Sequence, residues 1–325
     1  MLRSFEENGG PCSSIIGGRS GVAGRIAIAA ILLTGSPVRA EELQAAAASP
    51  PAIAISTANA SLNITPKRLT FSRGERTAAV YIFNRGTSAA TFDISLVERV
   101  MLPDGSIRGA SEAGSDPTLR GPVERLRSAK GMVVATPRRA TLAPGAGQTI
   151  RVRVSPPVDA ASAEYRSHLT VATVPPRDAG VTAEDAASGR GDQLTFRITT
   201  IYGLSIPVII RTGAVDARGE IRNVRLAEAM LSPDGLAPPK ATLVVKFDLA
   251  RTGSSSLFGN VEVRGRGRQP LATARGFGVY TEVESRSIQI PLQRRPARGE
   301  TLEILFLDDD AAPGRTIARA SIGAP

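Results

Sequence analysis

Residues 193–211 read QLTFRITTIYGLSIPVIIR. The even positions are Leu194, Phe196, Ile198, Thr200, Tyr202, Leu204, Ile206, Val208 and Ile210, all apolar or aromatic except Thr200. The odd positions up to Thr199 are polar. A period of two puts alternate side chains on opposite faces of an extended chain, so the stretch is β with one apolar face from end to end. Strands usually run about 5–6 residues, yet no turn signal interrupts this one before Gly203. It is longer than one sandwich can cover, and the surplus needs something else to touch.

The flanking sequence has the same texture. Upstream, residues 62–71, 76–84, 89–101, 132–136, 148–154 and 165–174 form short alternating runs, separated by turn signals such as Asn84-Arg85-Gly86, Pro103-Asp104-Gly105 and Pro144-Gly145. Residues 108–121 are rich in Gly, Ser and Asp and read as a polar loop, as do 175–192. A composition break falls at 211–214, and seven further short runs follow, at 221–227, 242–249, 257–264, 272–281, 287–292, 301–307 and 316–322. No segment beyond the amino terminus has a helical period. Short strands at this spacing predict an all-β chain of two immunoglobulin-like β-sandwich domains, 61–212 and 213–325, after a cleaved signal segment.

That signal segment is read at residues 1–40. Arg19 and Arg25 precede the apolar run IAIAAILL at 26–33, and Val38-Arg39-Ala40 offers small or apolar residues where a signal peptidase cuts. The run is too short for a bilayer, which needs about twenty apolar residues. The expected location is the periplasm, without stable membrane insertion. Residues 41–60, EELQAAAASPPAIAISTANA, read as a flexible leader. The chain's one cysteine, Cys12, would leave with the signal, which removes disulfides, thiolate metal sites and cysteine nucleophiles together. The net charge is +10, and the signal segment carries four Arg and two Glu, leaving +8. The arginines are scattered along strands instead of clustered, so they predict solvated sheet faces and no nucleic-acid partner.

Catalytic chemistry finds little support. His168 is the one histidine, it lies in the strand pattern EYRSHLTVATV, and no G-x-S-x-G turn exists for it to serve. Zinc would have to rely mostly on carboxylates. Leu307-Asp308-Asp309-Asp310 lacks the spaced oxygens of a calcium loop and reads as a solvated turn. No phosphate-binding glycine loop is present. The expectation is no enzyme, no cofactor and no metal.

Three blocks taken together resemble the PapD-like periplasmic chaperones of pilus assembly. The first is Ile64-Thr-Pro-Lys-Arg68-Leu-Thr-Phe71, followed by VYIFN ending at Asn84. The second runs from Pro137 through Leu142, Pro144, Gly145, Gln148 and Ile150 to Arg151, the pattern P-x-x-x-x-L-x-P-G-x-x-Q-x-h-R with h apolar. The third is the strand from Glu164 to Val174-Pro175-Pro176. Order and spacing over about 150 residues make the set specific, although each block alone suits any sandwich.

What the resemblance implies is a chaperone of pilin-like subunits, divergent within its family. Such subunits lack their last strand, and the chaperone lends them a strand of its own while an outer-membrane usher takes delivery. By position Leu194, Phe196 and Ile198 match the donor motif. Arg68 matches the arginine that anchors the subunit's terminal carboxylate, and Glu164 matches a glutamate of the inter-domain ion pair. The family's anchoring lysine falls on Gly203, and the arginine that partners the glutamate falls on Pro207, two departures. A lent strand is also a sticky edge, which favours self-association of the free chaperone. The alternative reading is a non-catalytic structural or adhesive envelope protein on the same scaffold.

Overall fold

A computed structural model describes residues 61–72, 74–160, 162–175, 201–232, 235–267 and 269–325, with the backbone of two further strands at 53–56 and 196–199. The signal segment and Leu194 lie outside the described residues. The chain is all-β, built as two sandwiches.

The first sandwich takes its strands in this order: β1 (Ile53–Ser56), β2 (Leu62–Thr65), β3 (Leu69–Phe71), β4 (Thr77–Asn84), β5 (Ala90–Val97), β6 (Arg99–Met101), β7 (Ile107–Gly109), β8 (Val133–Thr136), β9 (Arg139–Leu142), β10 (Gly147–Val154), β11 (Glu164–Thr173), β12 (Phe196–Thr199) and β13 (Gly203–Arg211). One sheet has the order β2-β4-β10-β8 and faces a second of order β3-β13-β11-β5-β9. Alternation decides what lies between them. In β10, Ile150, Val152 and Val154 are buried while Arg151 and Arg153 are in water. They meet Val80, Ile82, Phe92, Leu169, Val208 and others in one core, each such side chain contributing about 1.5–3 kcal/mol by burial. Asn84 closes the β4 turn, its amide donating to the Ser88 and Leu142 carbonyls at 2.9 and 3.0 Å.

The second sandwich comprises β14 (Gly219–Leu231), β15 (Lys240–Arg251), β16 (Leu257–Arg264), β17 (Ala272–Val279), β18 (Ser285–Pro291), β19 (Thr301–Asp308) and β20 (Thr316–Gly323). Sheets β14-β15-β18 and β17-β16-β19-β20 enclose Phe247, Leu249, Val261, Ile288, Ile304 and Phe306. A bulge kinks β14 between Arg222 and Arg225, where Asn223 takes φ 55°.

Residues 108–121 are more ordered than a polar loop. β6 and β7 form a hairpin, short 3-10 turns follow at Ala110–Gly114 and Pro117–Leu119, and helix α1 spans Arg120–Arg125. Polar side chains hold these turns: Glu112 accepts from the Gly109 N–H at 2.8 Å and from the Arg108 guanidinium, and Asp116 accepts from the Thr118 N–H at 3.0 Å. Turns this short carry no helical period, so their sequence looks like a loop. The β6–β7 hairpin reaches across to the second sandwich, where Met101 is buried in its core and the Pro103 carbonyl accepts from the Ser287 N–H at 2.8 Å.

Candidate functional site

The long run divides at Gly203. From there to Arg211 it is β13, held inside its sheet between β11 (antiparallel, Glu164↔Arg211 through Ala172↔Gly203) and β3 (parallel, Val208↔Leu69 through Ile210↔Phe71). Val208 and Ile210 point into the first core, while Ile209 between them packs into the second. Upstream, the neighbouring strand β11 stops at Thr173, whose N–H donates to the Tyr202 carbonyl at 2.8 Å. β12 therefore lies past the end of the five-stranded sheet. It pairs in parallel with β1 alone, Ile53↔Phe196 through Ser56↔Thr199, and among the described residues no strand lies on its other edge. Ile201 and Tyr202, at the point of departure, are 62% and 44% exposed. Of the donor residues named from the sequence, Phe196 and Ile198 have their backbone on β12.

Arg68 stands just before β3, its guanidinium 4.5 Å from the centre of the Phe258 ring of the second sandwich. Its Nη2 donates to Asp310 Oδ2 at 2.9 Å and its Nε to the Thr70 hydroxyl at 3.1 Å. Its Nη1 is buried without a hydrogen-bond partner among the described residues. The same Asp310 oxygen accepts from Arg211 Nη2 at 2.6 Å, and Arg211 Nε donates to Glu164 Oε2 at 3.0 Å. That glutamate oxygen also accepts from the Ser256 N–H at 3.1 Å. Arg68, Asp310, Arg211 and Glu164 thus form a continuous charged chain across the junction of the sandwiches. Burial works against the charge on Arg211, but Glu164 and then Asp310 outweigh it, and the net shift of its pKa is upward.

The guanidinium facing Glu164 is therefore that of Arg211, four residues beyond Pro207. Sheet register explains the placement, because Glu164 and Arg211 are directly opposite across β11 and β13. Asp310 was hidden in a run that reads as a solvated turn. Asp308 folds that run back on itself, accepting from the Asp310 and Ala312 N–H groups at 3.0 and 2.9 Å, and so aims Asp310 at the two arginines.

A second charged group lies deeper in the junction. Arg166 and Glu282 form a buried ion pair, with the Arg166 guanidinium 4.0 Å from the Tyr280 ring centre. Glu282 Oε1 also accepts from the Met101 N–H at 2.8 Å. Burial raises the Tyr280 phenol's pKa. His168 is 3% exposed, with both ring nitrogens 3.4 Å from Arg166 Nη1. Burial, then Arg166 and Arg99, push its pKa down to about 3, so it stands neutral at physiological pH. Among the described residues no group of three metal-ligating side chains occurs.

No family model and no curated protein matches the chain. Solved structures do. The Escherichia coli chaperone DraB matches with 11% identity over 83% of this chain and 98% of that one, TM-score 0.37. A chain of the Salmonella enterica SafA pilin–SafB chaperone complex matches with 10% identity over 83% and 99%, TM-score 0.39. A chain of the Acinetobacter baumannii CsuC–CsuE chaperone–tip adhesion subunit pre-assembly complex matches with 12% identity over 81% and 98%, TM-score 0.38.

No helix among the described residues is long and apolar enough to cross a membrane.

Proposed function

We propose that the chain is a periplasmic chaperone that captures incomplete pilin-like subunits by strand addition and delivers them to an outer-membrane usher. The observation that carries this reading is the overhang: a run with one apolar face continues past the end of its own sheet as β12, leaving one strand edge unpaired among the described residues. Completing a partner's sheet would satisfy that edge with backbone hydrogen bonds, and would give Leu194, Phe196 and Ile198 an apolar groove to fill. Burial of the three together would contribute roughly 5–9 kcal/mol before the costs of association.

Arg68 is the proposed anchor for the subunit's terminal carboxylate. Asp310 holds its guanidinium in place and leaves Nη1 without an acceptor. A buried donor left open costs about 1–3 kcal/mol, which a carboxylate would recover. Glu164 and Arg211 would fix the angle between the sandwiches at which that anchor faces its cargo.

The test is co-expression with the subunits encoded beside this gene, followed by co-purification. Leu194, Phe196 and Ile198 changed together to Ser should abolish capture while the chaperone remains folded by circular dichroism. Intact capture by that variant would sink the donor-strand reading. Arg68→Ala should weaken capture by at least about tenfold, the worth of one charge-assisted contact; an unchanged affinity removes the anchor role.

A further inference from the structure

A cleft at the junction, which Arg68 does not line, concentrates unpaired positive charge. It has a volume of about 430 Å³ and is walled by Arg125 at the end of α1 and Arg127 just beyond it, by Ser162 ahead of β11, and by Arg251, Ser254 and Thr281 of the second sandwich. Arg127 makes no side-chain hydrogen bond or ion pair among the described residues, and Arg125 uses only its Nε, which donates to the Glu282 carbonyl at 2.7 Å. Arg251 is oriented by the Gly253 and Thr281 carbonyls, and no carboxylate neutralises it. Glu124 lines the cleft too, without an ion-pair partner among the described residues, and offsets one of the three positive charges, whereas Glu164 is taken up by Arg211. Elsewhere some arginines are matched with acids, as in Arg139–Asp93, Arg218–Asp216 and Arg264–Glu262, while others, such as Arg151 and Arg153 on β10, stand singly along a solvated strand face. Three guanidinium groups without an ion-pair partner around a single cavity therefore form a local excess of positive charge.

We propose that this cleft binds a phosphate group. Arginines contributed by both sandwiches suit a tetrahedral oxyanion, which offers acceptors in several directions, and Ser162 and Ser254 also line the cleft. A ligand seated there joins the first sandwich to the second, so binding stabilises their docked arrangement by mass action. The group can arrive as free inorganic phosphate or as a phosphate monoester.

Thermal unfolding of the full chain reads this directly, and independently of any subunit. Inorganic phosphate should raise the Tm by several degrees in a saturable manner, while sodium chloride at equal ionic strength should not. Arg127→Ala, an exposed position, should weaken the apparent affinity about tenfold or more, with partial recovery in Arg127→Lys. Arg295→Ala, outside the cleft, should leave it unchanged. Glycerol phosphate binding more tightly than inorganic phosphate assigns a monoester, and equal binding assigns the free anion. A Tm that rises no more with phosphate than with chloride, or a phosphate effect undiminished in Arg127→Ala, overturns the proposal.

Discussion

Arg166 and Glu282 show how much can rest on two side chains. They are 1% and 0% exposed, they come from different sandwiches, and Glu282 also receives the Met101 N–H. Each ion was removed from water to make this contact, and the opposite charge of the other is its main compensation, beside the Met101 N–H on Glu282 and the Tyr280 ring on Arg166. Arg166→Met should therefore destabilise the protein by about 3–5 kcal/mol, because it strands a buried carboxylate. The double change Arg166→Met with Glu282→Leu should recover most of that loss, since it deletes both charges and leaves apolar groups of similar volume. Denaturant titration of the two variants checks both. A double variant no more stable than the single one would mean that the pair holds the junction by more than charge. Neither residue could be picked from the sequence. Arg166 sits in an alternating strand where arginines elsewhere face water, and Glu282 sits in a turn. Their partnership is a fact of docking, which no local period records.

At the scale of one element, β13 carries the two departures from the PapD-like sequence pattern, Gly203 and Pro207, and the fold accommodates both. Pro207 faces His168 within the antiparallel ladder to β11 and lies one residue ahead of the parallel ladder to β3, which opens at Val208↔Leu69. Gly203 is exposed and starts the strand, and a Cβ there would meet Ala172 Cβ at 3.4 Å, an ordinary contact. Gly203→Ala should thus raise stability by roughly 0.5–1 kcal/mol, since it removes unfolded-chain freedom without a clash; a loss seen in urea titration would show that the strand entry needs glycine. The alternation of residues 193–211 made β13 and its inward face legible in the sequence. The break at 203 was legible only as a glycine. What the sequence could not supply was the partner of each edge, because β1 and β3 pair with β12 and β13 across more than a hundred residues. The same holds for the charged chain. Arg68 and Glu164 were named from motifs, but Asp310 comes from a run of acids whose burial depends on how Asp308 folds its own loop.

For the whole molecule, the two sandwiches are joined by a shared strand and a charged seam, and this has a consequence for acid stability. β13 sends Val208 and Ile210 into one core and Ile209 into the other, so the sandwiches share apolar contact through consecutive residues. Polar groups surround that contact, and His168 is buried among them beside Arg166 and near Arg99. Across the ladders it faces Pro207 on β13 and Val97 on β5, neither of which can stabilise an imidazolium. Its folded-state pKa of about 3 lies below the ordinary value of 6.5. The unfolded chain therefore takes up a proton as pH falls through 6.5, whereas the folded chain does not until near 3. The contribution of a neutral His168 is thus complete above the ordinary value and is progressively lost toward the lower one, a change on the order of a few kcal/mol. Unfolding free energies from denaturant titrations at steps across that window should fall as the solution is acidified. His168→Gln keeps a neutral polar group in the same space and has no proton to gain. Its profile should be flatter than that of the parent over the same window. If the two profiles run parallel, His168 does not set the acid sensitivity.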